Sequence, residues 1–386
     1  MGRSAVRKVL YVSGTRAEYG LMKATLQKIQ SHPNLDMEIA VTGMHLMPQF
    51  GETIEEIKED GWKIHPIRAT YEEDNKESMA RFVGRFVQLL IPTIARVKPH
   101  FILLLGDRGE MLGGAIGGTY LTIPVAHVHG GDTTSTVDEF VRHAITKLAH
   151  IHFPATKKAA ERIIKMGEEP WRVSVAGAPG LDSILHQKLR TKKDIAEIYG
   201  INFLRPLLLV LQHPVTIELP HAAQQMRETM EAVRRLKHQT IVLYPNADAG
   251  GRRMIRVIEQ YRKYPFLQIY KTVPHGDYIS LLKFASVILG NSSSGIIEAP
   301  SFHLPAVNIG TRQGKRERAG NTIEADYRRA EIAKAIRKAL YDKRFQNQMK
   351  KCKSPYGSGR AGERIAAALS TIQINTRLIQ KQLTYA

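Results

Sequence analysis

The chain reads as an α/β protein built from two doubly wound domains. Three observations predict this. Short, continuous apolar runs alternate with amphipathic stretches, the same rhythm restarts past Arg205-Pro206, and 386 residues is about twice the usual size of one domain. Strands that are apolar throughout, not at every second residue, belong to parallel sheets covered by helices on both faces.

In chain order, the first half places strands at 9–13, 37–41, 101–105, 123–128, 151–153 and 173–176. The second places them at 207–211, 240–244, 266–270, 287–290 and 305–309. A polar helix opening at Leu189-Arg-Thr-Lys-Lys-Asp194 puts the boundary between 180 and 205, giving domains 1–188 and 189–358. The loop Ser354-Pro-Tyr-Gly-Ser-Gly359 then leads into a long helix over 363–380 that carries Ile365, Leu369, Ile372 and Ile379. Residues 359–386 are therefore able to cross back to the first domain.

The formal charge is +20, from 56 Lys+Arg against 36 Asp+Glu. The basic residues are dispersed over helix-like segments, such as Lys157, Lys158, Arg162 and Lys165, without interleaved aromatics. That pattern describes a solvated basic surface and not a nucleic-acid face. No apolar run approaches the roughly 18 residues of a membrane-spanning helix, so no membrane partner is expected. The single cysteine, Cys352, has no internal disulfide partner and cannot build a Cys-rich zinc site; a reducing cytoplasm fits best.

Open α/β sheets bind ligands beyond the C-terminal ends of their strands, so the residues just past each apolar run carry the information. The first run ends in Ser13-Gly14-Thr15-Arg16-Ala17-Glu18, a glycine-containing turn that feeds a helix N-terminus, offering free N–H groups and the Arg16 charge to an anion. It matches neither the dinucleotide nor the Walker fingerprint. Arg16 and Glu18 read equally as ligand contacts or as an internal ion pair, and the same alternatives hold for Asp107 and Arg108 after the strand at 101–105. The glycines of 113–118 lie within a helical pattern and read as close helix packing.

Next come His127-Val-His129-Gly-Gly-Asp132, then His143, His150 and His152. Without a cysteine or an H-E-x-x-H helix among them, these histidines do not read as a metal site. Thr136-x-x-Glu139 has the form of a capping box, which leaves Asp138, one turn before Arg142 and oriented by it, as the stronger catalytic candidate. In the second half, His213 ends a strand before Pro214, and Asn246 and Arg252 follow the next. The strongest local signal is Gly290-Asn-Ser292-Ser293-Ser294-Gly295 before a helix. Its hydroxyls and N–H groups suit a diphosphate, Glu298 further along suits a ribose diol, and Arg312 stands beyond.

Taken together and in this order, Gly14-Thr-Arg-Ala-Glu-Tyr-Gly20, Gly106-Asp-Arg108, His127-Val-His-Gly-Gly131, Asp138-Glu-x-x-Arg-His-Ala-Ile-Thr-Lys147, Gln212-His-Pro-Val-Thr216, Pro245-Asn-x-Asp-Ala-Gly250, Gly290-Asn-Ser-Ser-Ser-Gly295 and Gly310-Thr-Arg-Gln313 resemble the hydrolysing UDP-N-acetylglucosamine 2-epimerases of sialic-acid-type sugar biosynthesis. The likeness covers roughly residues 8 to 325. Ala17 and His129 stand where non-hydrolysing relatives have Pro and Glu, which selects the hydrolysing branch; Asp132 stands where the family more often has Glu.

The resemblance implies two Rossmann-like domains facing a central cleft, the GT-B arrangement, in a homo-oligomer, dimer or tetramer. It implies acid–base roles for Asp107, Asp132 and Asp138, with His213 as a further catalytic residue. His213, Asn246, Arg252, Ser292, Ser293, Ser294, Gly295, Glu298 and Arg312 would line the nucleotide side, with Arg16, Glu18 and Arg108 reaching from the first domain. The implied reaction converts UDP-N-acetylglucosamine to N-acetylmannosamine and UDP through 2-acetamidoglucal, with no metal or redox cofactor. UDP-N,N'-diacetylbacillosamine, a GDP-linked sugar, or the non-hydrolysing reaction are the alternatives.

Overall fold

Among the described residues, twelve strands fall into two separate six-stranded sheets. The computed structural model describes residues 6–134, 136–186 and 189–384, so the boundary expected after residue 188 lies outside the described residues. The first sheet comprises β1 (Arg7–Ser13), β2 (Leu35–Val41), β3 (Lys63–Pro66), β4 (Phe101–Leu105), β5 (Val125–Val128) and β6 (Ile151–Phe153). The second comprises β7 (Leu207–Leu211), β8 (Gln239–Leu243), β9 (Leu267–Tyr270), β10 (Val287–Gly290), β11 (Ala306–Ile309) and β12 (Thr322–Ala325). Every ladder is parallel.

The strand orders are β3-β2-β1-β4-β5-β6 and β12-β11-β10-β7-β8-β9. Read from its own first strand, the second sheet repeats the winding of the first. The architecture is thus the expected pair of doubly wound, GT-B-like units. In each sheet the order of winding reverses between two adjacent parallel strands, β1 and β4 in the first and β7 and β10 in the second, and such a switch point opens a crevice at the strand C-termini.

Alternate residues of β1 explain why its run is apolar throughout. Val9 and Tyr11 join the core on one face, Leu10 and Val12 the core on the other. As expected, the glycines of 113–118 serve close packing: a Cβ on Gly113 would lie 2.6 Å from Phe86 of the neighbouring helix Lys76–Val97, and one on Gly114 2.8 Å from Leu104 of β4. Residues 173–176 do not form the expected strand; only Val173 bridges, to His152.

The C-terminal segment packs on the first sheet, with Ile365, Ala366, Leu369 and Leu378 in its core. The long helix expected over 363–380 is broken in two, Ala361–Thr371 and Thr376–Ile379, because Ile372 turns extended and the Asn375 side chain caps a new start by accepting the Leu378 N–H. Arg172, fully buried, donates to the carbonyls of Arg377 and Leu378. Lys381 then reaches the buried Glu168 (2.9 Å) and the last carbonyls of the helix Val137–Leu148.

Burial alone would raise the Glu168 carboxyl, but hydrogen bonds from His152, Lys147 and Lys381 outweigh it and hold its pKa at about 2. The stability this confers is present above the ordinary carboxylate pKa and lost as pH falls through about 2. Lys381→Met should cost about 2 kcal/mol, by leaving carbonyls unsatisfied and removing one of three donors to a buried carboxylate. A denaturant midpoint equal to that of the unaltered chain would refute this docking role.

Candidate active site

Both switch points open into one cavity of about 300 Å³, lined from the first half by Arg16, Glu18, Asp107, Arg108, His129 and Asp138, and from the second by His213, Asn246, the serines 292–294, Glu298, Arg312 and Arg316. Its wall is set by local backbone chemistry. Thr15 caps the helix Arg16–Gln30 by accepting the Glu18 N–H, and Glu18 turns back to accept from the Gly14 N–H and Ser13 hydroxyl, each at 3.0 Å. Gly14 is required here, since a Cβ would lie 1.9 Å from Glu110 Oε1. Burial, with the nearby Glu110 adding to it, pushes the Glu18 carboxyl well above its usual range despite the Gly14 hydrogen bond.

Opposite, Gly290 lets the chain leave β10 towards Asn291, whose side chain accepts the His213 N–H (2.7 Å) and donates to the His213 carbonyl (2.9 Å). His213 Nδ1 accepts the Asn246 N–H (3.1 Å), which places the proton of the neutral ring on Nε2. Burial, with the Arg312 and Arg108 charges, holds its pKa well below the usual histidine value, so it meets a ligand as a neutral donor. The expected helix after the serines is only a 3₁₀ turn, Ser293–Gly295, followed by a second at Ala299–Phe302 that contains Pro300. Ser292 caps the first turn by accepting the Ser294 N–H.

Two carboxylates face this turn. Asp107 pairs with Arg142, which is 1% exposed, while Asp138 sits 3.2 Å from Arg312. Burial disfavours the Asp107 anion, yet Arg142, Arg316 and Arg312 overcome it and its pKa falls below the usual range. Burial and the Asp107 charge drive Asp138 the other way, above its usual range, against the pull of Arg312. Neighbouring acids whose pKa values are pushed apart in this manner are suited to opposite roles in proton transfer. The i, i+4 pairing expected between Asp138 and Arg142 does not form, because Arg142 turns to Asp107 and to the Asp132 carbonyl (2.9 Å). Nor is the capping box closed as expected: Thr136 accepts from the Asp138 N–H, and Glu139 from the Thr134 N–H.

A sequence profile of the family described as UDP-N-acetylglucosamine 2-epimerase matches residues 27–370. The chain belongs to this family. A UDP-N,N'-diacetylbacillosamine 2-epimerase (hydrolyzing) from Legionella pneumophila is 39% identical over 98% of this chain and 100% of its own. A UDP-N-acetylglucosamine 2-epimerase from Neisseria meningitidis is 31% identical over 88% of this chain and 89% of its own. In fold, the chain is similar to the crystal structure of a Neisseria meningitidis UDP-GlcNAc 2-epimerase bound to UDP-GlcNAc, with a TM-score of 0.79 at 19% identity over 94% of this chain and 99% of that one.

Within this family member, several residues expected at the ligand have protein partners. Arg108 lines the cavity, but its guanidinium is held by Glu110 (2.8 Å), the Tyr71 hydroxyl (3.1 Å) and Asp248 (3.4 Å). Arg16 pairs with Glu56 (2.6 Å) and donates to Thr272 across the cleft (2.9 Å). Arg252 donates to the Tyr71 carbonyl and, like Gly295 and Asp132, is not part of the cavity wall. Asp132 is instead buried behind it, its carboxyl drawn below the usual range by Arg316 and His129 in spite of burial.

Buried polar atoms without a protein partner remain on the cavity-lining residues Asn246 (Oδ1), Tyr278 (O–H), His275 (Nε2) and Glu298 (Oε2), where a polar ligand would satisfy them. His129 and Asp248 were missed as site residues, although both stand inside strand-end motifs that carried the signal. Among the described residues no cluster of three or more His, Cys, Asp or Glu is arranged to hold a metal ion. The five histidines have separate partners; His127 donates to the Gly106 carbonyl (2.7 Å) and His152 meets Glu168 (3.3 Å).

Proposed function

We propose that the chain is a hydrolysing 2-epimerase of a UDP-linked 2-acetamido sugar. The observation that carries this reading is the pair Asp107 and Asp138, which line one cleft together with the Ser292–Ser294 turn, Asp107 paired with Arg142 and Asp138 with Arg312, and whose pKa values are driven in opposite directions. The sugar C2–H has no adjacent carbonyl and is barely acidic, so its removal must accompany departure of the diphosphate. The ionised Asp107 takes the C2 proton, the C–H electron pair becomes the C1=C2 bond, and UDP leaves with the C1–O pair. Serine N–H and O–H groups, the neutral His213 and Arg312 stabilise the charge on the leaving group. Water then adds at C1 while Asp138 delivers its proton to C2 from the opposite face, giving the free 2-epimer.

The 39% identity to the Legionella relative supports UDP-N,N'-diacetylbacillosamine as substrate ahead of UDP-N-acetylglucosamine, the sugar the sequence resemblance put first. Both are to be incubated in heavy water. The expected product is a free sugar with deuterium at C2, formed faster from the diacetylated substrate; a nucleotide-linked epimer as sole product would remove the hydrolysing reading.

The pH profile follows from the two carboxyls. Activity needs Asp107 ionised and Asp138 protonated, with Asp138 facing Asp107, Asp248, Arg312 and Arg142. The acid limb of the elimination half-reaction should lie below the ordinary carboxylate range, and hydration should fall as pH rises through the elevated pKa of Asp138. In Asp138→Asn the residual activity should lack that falling limb; a limb that persists unchanged would take the acid role from Asp138.

A further inference from the structure

Of the acids and imidazoles that line the cavity, Asp107 and Asp138 are taken up by the proposed reaction, Glu18 by its loop, His213 by the Asn246 N–H, Asp248 by Arg108 and Asn246, and Glu298 by the proposed nucleotide side. Two imidazoles are left, His275 and His129, and of these His129 has a carboxylate near its ring. It follows β5, its N–H is fixed to the Phe153 carbonyl (3.0 Å), and its φ of +62° lies in the left-handed region that costs a non-glycine residue about 1 kcal/mol. This conformation turns a side chain that is 13% exposed into the wall of the cavity that Asp107 also lines, with its ring stacked on Tyr356.

Behind the ring, Nδ1 stands 3.6 Å from Asp132 Oδ2, an electrostatic contact just beyond hydrogen-bond length. That oxygen is buried and accepts no hydrogen bond, and Arg316 lies 3.4 Å from it. Arg142 links this unit to the chemistry, since one of its nitrogens holds the Asp132 carbonyl and another pairs with Asp107. The groups around His129 are therefore Asp132, Arg316 and Glu298, with Tyr356 against its face. Among the described residues, no other cavity-lining imidazole has a carboxylate behind it.

We propose that His129 is the base for the attacking water in the second half of the reaction, with Asp132 as the residue that positions it. This rests on the epimerase reading and assigns a step that Asp107 and Asp138 leave open. As the water oxygen bonds to C1, its proton passes to His129 Nε2, and the C1=C2 pair takes the Asp138 proton at C2. Across both half-reactions Asp107 and His129 each gain a proton and Asp138 loses one. The surplus of one matches the proton released on hydrolysis once the UDP phosphate is fully ionised. The Asp132 carboxylate, 3.6 Å from Nδ1, stabilises the imidazolium as it forms.

The test separates the two half-reactions, using the nucleotide sugar for elimination and 2-acetamidoglucal plus UDP for hydration. His129→Gln should slow hydration by about 100-fold while elimination falls much less, so that the glucal accumulates. Asp132→Asn should show the same split more weakly. His129→Ala should regain hydration on addition of imidazole, a rescue that a merely structural histidine would not give. Equal loss of both half-reactions, or an alanine variant that imidazole does not restore, would overturn the proposal. If the unaltered chain itself forms no glucal and places no deuterium at C2, it is the epimerase reading that falls.

Discussion

Asp107→Asn is expected to lower kcat by about 10³-fold, within the range usual for loss of a general base, and to destabilise the protein by about 2 to 3 kcal/mol as well. The second effect arises because the Arg142 guanidinium is buried and has Asp107 as its counter-charge; an amide leaves that cation uncompensated. Asp138→Asn should lose a similar factor in kcat with a smaller change in stability. Its charge is already disfavoured by burial and by Asp107, and its partner Arg312 keeps a hydrogen bond to the Asn291 carbonyl. UDP release gives kcat and urea midpoints give stability. A variant retaining a tenth of the activity would remove its carboxyl from the chemistry, and equal stability losses would contradict the opposite pKa shifts.

That asymmetry depends on contacts the sequence conceals. The strands of the two sheet centres were legible because burial on both faces leaves no polar position, as in Phe101–Leu105 and Leu207–Leu211. The edge strands Lys63–Pro66 and Thr322–Ala325 were not, since most of their residues are partly exposed and lack an apolar run. Strand-end motifs identified the cleft because the switch-point rule ties ligand binding to chain direction. The partners of side chains long enough to cross the cleft were not legible in the same way: Arg16 ends on Thr272, Arg108 on Asp248 and Arg252 on Tyr71, each from one half to the other. Arg142 was misassigned for a related reason. A helical i, i+4 spacing offers Asp138, but the strand-end acid Asp107 is nearer to where the guanidinium points.

Gly290→Ala is the second change of large expected effect. At φ +126° the residue occupies backbone space that an L side chain rarely enters, and its Cβ would lie 2.1 Å from the Leu211 carbonyl oxygen and 2.6 Å from the carbonyl carbon. Those atoms are backbone of the adjacent strand, so no rotamer change relieves the overlap; β7 and β10 must separate at their C-terminal ends. Separation breaks the two hydrogen bonds between Asn291 and His213, and with them the placement of His213 and the serine turn. The expected cost exceeds about 3 kcal/mol, since backbone strain and a buried clash act together, and any folded fraction should bind UDP at least about 100-fold more weakly, as anchoring groups on both switch-point strands are displaced at once. Ser293→Ala, by contrast, removes one hydroxyl and no backbone contact, and should retain the native midpoint while weakening UDP. If Gly290→Ala folded with an unchanged midpoint and bound UDP normally, the diphosphate would not be held where β7 and β10 part.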